Sequence, residues 1–272
     1  MRAPHHQPAT LNQKPSKGEY APRGTTMKNY KPAPDLLKDR VILVTGASDG
    51  IGAAAAKSFA AHGATVVLLG RSIRKLEKVY DAIEQSGAPQ PAIYPMNLEG
   101  AAPKDYEELA VTLEQEFGRL DGLLHNAALL GTLTPLEQYD LEQWAKLMQV
   151  NLHAPFLLTR AVLPLLKKST DASVLFTSSS VGRKGRAYWG AYGITKAACE
   201  NMMEIWADEL ETNTPIRVNS IDPGAVRTTL RAKAYPGEDP NTLRRPEEIM
   251  AVYLYLLGPD SRGTNGQRTS AQ

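Results

Sequence analysis

An all-apolar run, Val41-Ile42-Leu43-Val44, passes without a break into Thr45-Gly46-Ala47-Ser48-Asp49-Gly50-Ile51-Gly52 and then into an alanine-rich segment ending at His62. Few backbones accept that order. Four apolar residues in succession suit a strand buried on both faces, as in a parallel sheet, and the alanines favour a helix. A strand, a glycine turn and a helix N-terminus together make a phosphate site, because unpaired amides and the positive helix end face the anion. Gly46 permits the tight turn, Gly50 lets the backbone approach a pyrophosphate, and Gly52 lets the helix pack on the strand. Ser48, Asp49 and Ile51 complete the turn and join these glycines as candidate dinucleotide contacts. The spacing Gly-x-x-x-Gly-x-Gly departs from the common fingerprint Gly-x-Gly-x-x-Gly, so a plain tight turn is the competing reading. Placement between strand and helix favours the phosphate site.

The rest of the chain repeats the alternation. A second apolar strand, Thr65 to Leu69, ends at Gly70-Arg71-Ser72. Dinucleotide folds that use NAD carry an acid near this point for the ribose 2′-hydroxyl. Gly70 supplies none and Arg71 suits a 2′-phosphate, so NADP(H) is expected over NAD(H), with Arg71 and Ser72 as contacts. A helix over about 73–85 leads to a strand over 92–96, closed by Asn97-Leu98, where Asn97 either bonds an adenine edge or merely closes a turn. After a helix over about 104–117 and a strand over 122–125 come Asn126-Ala127-Ala128, small residues along which a flat ligand can lie. A long helical stretch over about 136–166, interrupted at Pro155 and Pro164, holds Asn151, whose side chain is either solvated or has an interior role. The strand over 173–177 delivers Ser178-Ser179-Ser180, a helix runs from Tyr192 to about Leu210, and a strand over about 216–221 ends in Asp222-Pro223-Gly224. This order predicts an α/β fold: a Rossmann-type, doubly wound parallel sheet with helices on both faces and ligands at the carboxyl ends of the strands.

With 272 residues and 42% hydrophobic content, one domain over 35–272 is expected. A net charge of +2 gives no reason to expect nucleic acid. The lone Cys199 excludes an internal disulfide framework, fits a reducing cytoplasm and reads as a small buried hydrophobe. His62, His125 and His153 lack ligand spacing with any carboxylate cluster, so no metal is expected. No run reaches the roughly 18 to 20 apolar residues of a membrane span. Residues 1–34 combine six prolines and six basic residues with Glu19 alone, the composition of a disordered basic tail. It reads as a targeting leader, a remnant of expression, or an extension upstream of a start at Met27, the last being preferred.

Tyr192 and Lys196, four positions apart, share one helix face, so a phenol and an ammonium can point into one site. A neighbouring cation lowers a tyrosine pKa, and such a tyrosine can donate or accept a proton. Ser179 precedes Tyr192 by 192 − 179 = 13 positions. With Thr-Gly-x-x-x-Gly-Ile-Gly at Thr45 to Gly52, His-Asn-Ala-Ala at His125 to Ala128, Asn151, and Pro-Gly-x-x-x-Thr at Pro223 to Thr228, the chain resembles the short-chain dehydrogenase/reductase family from about Arg40 nearly to its C-terminus. It looks most like bacterial members of unassigned substrate.

The resemblance implies that Tyr192 is the general acid/base and that Lys196 lowers its pKa and binds the nicotinamide ribose. Ser179 would hold the substrate carbonyl, Asn151 would support a water-linked proton relay, and Thr228, with Pro223 and Gly224, would contact the cofactor near its nicotinamide end. It also implies a small carbonyl or alcohol substrate and a homodimer or homotetramer built on the helices around 138–166 and 192–210. His125, Ala128 and Asn97 depart from the family's usual Asn, Gly and Asp, and the chain ends soon after the turn Thr264 to Gln267, so a short last strand is expected. A catalytically silent dinucleotide-binding regulatory protein is the alternative, disfavoured by an intact Ser179, Tyr192 and Lys196. Tyr188, Trp189, Leu129 and Leu130 either line the substrate pocket or simply pack. Arg183, Lys184 and Arg186 read as a solvated face, with an anionic substrate or acyl carrier as the other possibility.

Overall fold

The computed structural model of the protein describes residues 30–272. Its strands are β1 (Val41–Thr45), β2 (Thr65–Gly70), β3 (Ala92–Pro95), β4 (Gly122–His125), β5 (Ser173–Thr177), β6 (Arg217–Asp222) and β7 (Arg268–Ser270). They form one sheet in the order β3-β2-β1-β4-β5-β6-β7, with every pair parallel. The central strands β1, β2, β4 and β5 are mostly apolar because both faces are covered. Ile42 and Val44 face a core shared with helices α1 (Gly50–Ala61) and α2 (Ile73–Gln85), while Val41 and Leu43 face one shared with α3 (Pro103–Phe117). Helices α4 (Leu141–Met148), α5 (Ala154–Lys167), α6 (Ser180–Arg183), α7 (Gly190–Glu211), α8 (Thr229–Ala234) and α9 (Met250–Leu257) complete the layers; α9 packs in the first core, α5 and α7 in the second. The chain winds outward from β1 to β3 and then returns to lay β4 on the other side of β1. That reversal opens a crevice beyond the strand ends. No helix among the described residues is long and apolar enough to cross a membrane.

Two expectations need correction. The prolines do not end the long helical stretch: Pro155 lies in the first turn of α5, directly after a helical turn, and Pro164 sits inside the same helix. The break is instead a π-helical turn at Gln149–His153, which contains Asn151. Packing also begins earlier than composition indicates. Tyr30 stacks edge-on against Tyr255 at 5.2 Å and donates to Asp260 Oδ2 at 2.7 Å, and Leu36 and Leu37 are buried. The remainder of the proposed tail, residues 1–29, lies outside the described residues. The last strand, β7, is three residues long and pairs with β6.

At the amino ends of the strands, away from the crevice, Asp171 is buried among cations. Arg217 donates to its Oδ1, Arg40 Nη1 donates to Oδ2 at 3.0 Å, and Arg217 Nη2 also reaches the Gly258 carbonyl at 3.1 Å. Burial alone raises the Asp171 pKa, but the hydrogen bonds and charges of Arg217 and Arg40 outweigh it and hold the carboxyl below its usual range. Replacing Asp171 by Ala leaves Arg217 buried without its counter-ion and should cost about 3 kcal/mol in urea denaturation. Because folding lowers this pKa, the contribution exists above the unfolded carboxylate pKa and disappears as pH falls through the folded value. The stability gap between wild type and Asp171→Ala should therefore narrow in acid.

Candidate active site

The crevice at the carboxyl ends of the strands is a cleft of about 580 Å³. Its first half is built by the glycine turn. Gly46 adopts φ +67°, and a Cβ there would lie 2.9 Å from the Ala127 Cα, so the β1 turn and the segment after β4 touch only because this residue is glycine. A Cβ on Gly52, beneath the turn and outside the cleft lining, would overlap the Gly46 carbonyl oxygen. Gly50, at φ +52°, opens onto the cleft opposite Thr228, whose Cγ2 would lie 3.3 Å from a Cβ at that position. Asp49 caps α1, accepting from the Gly50 N–H at 2.7 Å, and Lys75 of α2 stands 3.6 Å from its other oxygen. The Thr45 hydroxyl, not anticipated from sequence, accepts from the N–H groups of Asn126 and Ala127 at 3.0 and 3.1 Å and locks the two strand ends together.

Beyond β2 the cleft is bordered by Ser48, Gly70, Arg71, Ser72 and Lys75. Arg71 is exposed and α2 begins here with no side-chain cap on its first amides. Two hydroxyls, a guanidinium, an ammonium and a helix N-terminus around a position without an acid fit a phosphate on a ribose 2′-oxygen. The glycine turn and the start of α1 likewise fit a pyrophosphate, so the residues present suit a 2′-phosphorylated dinucleotide. Ile51, Asn97, Leu98, Asn126, Ala127, Ala128, Pro223, Gly224 and Thr228 also border the cleft. Asn97 Oδ1 accepts from the Glu99 N–H at 3.3 Å, the turn-closing alternative. Thr228 caps α8 through the Arg231 N–H at 3.1 Å.

The chemical half lies between β5 and α7. Ser179, Tyr192 and Lys196 all border it. Lys196 is buried, and its Nζ donates to the Thr177 carbonyl at 2.6 Å and lies 5.6 Å from the centre of the Tyr192 ring. Burial pushes the Tyr192 phenol up to about 12, opposed by the neighbouring Ser179 hydroxyl and assisted by the charge of Asp222. Burial also disfavours the charge of Lys196 and lowers its pKa, against the charges of Cys199, Glu200 and Asp222.

Asn151 does not border the cleft. Its Oδ1 accepts from the Leu129 N–H at 2.8 Å, and its Nδ2 donates to the Leu129 carbonyl at 2.8 Å and to Thr195 Oγ1 at 3.2 Å. Its side chain thus clamps the segment after β4 to the residue beside Lys196. His125 is a neutral core residue: burial, then the charge of Lys196, lowers its pKa to about 3, and its Nε2 lies 2.8 Å from Thr159 Oγ1. Arg183 and Arg186 are committed elsewhere, to the Thr269 carbonyl at 3.1 Å and the Tyr235 hydroxyl at 3.4 Å, and neither they nor Lys184 border the cleft. Helix α8, which sequence patterning passed over, supplies Thr229, Leu230, Arg231, Lys233 and Ala234 to the cleft wall. Thr228 alone signalled it.

A profile of the short chain dehydrogenases matches residues 40–239. The chain is 49% identical over 244 residues to the uncharacterized oxidoreductase YciK of Escherichia coli (strain K12), covering 90% of this chain and 96% of that protein. A structure from Pseudomonas syringae, assigned to the short chain dehydrogenases, shares 61% identity with a TM-score of 0.88, covering 90% of this chain and 99% of the other. Another so assigned, from Escherichia coli CFT073 and solved in complex with NADPH, shares 50% identity with a TM-score of 0.86, covering 89% and 100%.

Proposed function

Since the chain belongs to the short-chain dehydrogenase family of oxidoreductases, we propose that it is an NADP(H)-dependent carbonyl reductase or alcohol dehydrogenase using Tyr192 as its acid/base. One observation carries this reading: Ser179, Tyr192 and Lys196 meet at one end of a cleft whose other end fits a 2′-phosphorylated dinucleotide. The relative solved with NADPH supports the choice of cofactor. The turn from Gly46 to Gly50 would hold the pyrophosphate, Ser48, Arg71 and Ser72 the 2′-phosphate, Lys196 and Tyr192 the nicotinamide ribose, and Thr228 the nicotinamide end. When bound, the reduced cofactor supplies the hydride. Negative charge growing on the substrate oxygen is met by hydrogen bonds from the Ser179 and Tyr192 hydroxyls, and Tyr192 gives that oxygen its proton. Lys196, charged, stabilises the phenolate left behind. Asn151 supports the proton path from behind, by fixing Leu129 and Thr195.

The test is NADPH consumption across ketones, aldehydes, quinones and 3-oxoacyl thioesters. At least one class should be turned over; stoichiometric NADPH binding with no turnover of any class would favour a silent dinucleotide-binding protein. The buried free Cys199 supports a reducing compartment, and we assign the enzyme to the cytoplasm. We also assign it a homodimer through α5 and α7, which leave Phe156, Ile194 and Ile205 exposed. Light scattering at micromolar concentration should return at least twice the chain mass, and the mass of one chain would overturn the assembly.

A further inference from the structure

Between Tyr192 and α8 the cleft wall is apolar, formed by Leu130, Trp189, Leu230 and Ala234. Trp189 is held in place at some cost. Tyr188 before it adopts φ +73°, a conformation rare outside glycine, and Gly190 after it adopts φ +27° where a Cβ would lie 2.6 Å from the Tyr139 ring. The indole so fixed lies 5.7 Å from the Tyr192 ring and 5.9 Å from that of Tyr235. It presents a flat apolar surface beside the reacting group.

Two cations border the same end, Arg231 and Lys233. Arg231 is already neutralised: its Nε and Nη2 each donate to Glu238 at 2.6 Å, and its guanidinium lies 3.8 Å over Tyr235. Lys233 is exposed and makes no ion pair among the described residues. The bordering acids follow or end β1, β3 and β6. Asp49 caps α1 beside Lys75 and accepts from Thr229 Oγ1, one turn before Lys233, at 3.3 Å, Glu99 lies 3.6 Å from Lys146, and Asp222, whose charge reaches Tyr192, accepts from the Gly224 N–H at 3.0 Å. An apolar wall ending in an uncompensated ammonium suits an amphipathic anion.

Taking Ser179 and Tyr192 as the carbonyl site, we propose that the substrate is a carbonyl compound with a flat apolar body that packs on Trp189 and an anionic end that meets Lys233. The cation facing the substrate is therefore on α8 and not on the loop of Arg183 and Arg186.

The test uses protein saturated with NADP⁺, in which a ketone binds without being reduced, and titrates 4-acetylbenzoate and its neutral methyl ester by calorimetry. The carboxylate should bind about three- to tenfold tighter, the range between exposed and partly desolvated ion pairs, and the difference should shrink with added salt. Lys233→Met, which keeps the aliphatic stem, should abolish the preference and leave NADP⁺ affinity unchanged. Trp189→Ala should weaken both ketones alike, and Tyr192→Phe should leave the preference intact. Equal affinities, failure of both ketones to bind, a preference that survives Lys233→Met, or a Lys233→Met protein that loses NADP⁺ itself would each overturn the proposal. Preferential binding without NADPH-dependent turnover of either ketone would count against the carbonyl-reductase reading while leaving this subsite in place.

Discussion

Tyr192→Phe should lower turnover by about 10² to 10⁴ while leaving NADPH affinity within a factor of a few. The substitution removes one oxygen and keeps the ring against Trp189, so the buried wall of the cleft stays filled. What disappears is the cleft-bordering hydroxyl on the Lys196 helix, beside Ser179. Burial holds the phenol protonated in the protein alone, which suits it to give a proton to a carbonyl oxygen. In the direction of alcohol oxidation the same group must first lose that proton, so oxidation should accelerate as pH rises. Steady-state kinetics in both directions, with a separate cofactor titration, measure these quantities. Turnover within a few-fold of wild type would remove Tyr192 from the mechanism.

The second large effect concerns the cofactor. Arg71 can meet a 2′-phosphate with charge-assisted hydrogen bonds worth roughly 1.5 to 3 kcal/mol each, so one or two imply a preference for NADPH of order 10 to 10³. Asp49 caps α1 with one oxygen and has Lys75 3.6 Å from the other, so its charge is partly offset. An aspartate is also admissible at position 70: a Cβ there would lie 3.3 Å from the flexible end of Leu76 and 3.6 Å from Ser48 Oγ. Gly70→Asp combined with Arg71→Ala should therefore repel the phosphate and offer a partner for the free 2′-hydroxyl, erasing or reversing the ratio of kcat/KM for NADPH over NADH. A wild type indifferent to the two cofactors, or a double variant that keeps its preference, would place the discrimination elsewhere.

The sheet was legible because its central strands are buried on both faces and so run mostly apolar; β1, β2, β4 and β5 begin where those runs begin. The helix before β3 and the glycine turn were legible for the same local reason. What escaped depends on contacts between segments far apart in sequence. Asn151 looked like a candidate for the reaction centre, yet its amide clamps Leu129 and Thr195, 22 and 44 positions away. Lys75 and Lys233 carry no motif, and only the folding of α2 and α8 over the cleft gives them a role. The raised Tyr192 pKa also could not be read from the spacing to Lys196. Spacing reports that two groups share a face and says nothing of how much water reaches either.

The most direct test of the central claim follows the atoms. NADPH carrying deuterium at both hydrogen positions of the nicotinamide C4, incubated with any carbonyl compound that the wild type consumes, should yield an alcohol with one deuterium on the former carbonyl carbon, matched mole for mole by NADP⁺. Oxidation of the cofactor with no deuterium in the product, or no oxidation with any carbonyl class despite stoichiometric binding, would contradict it.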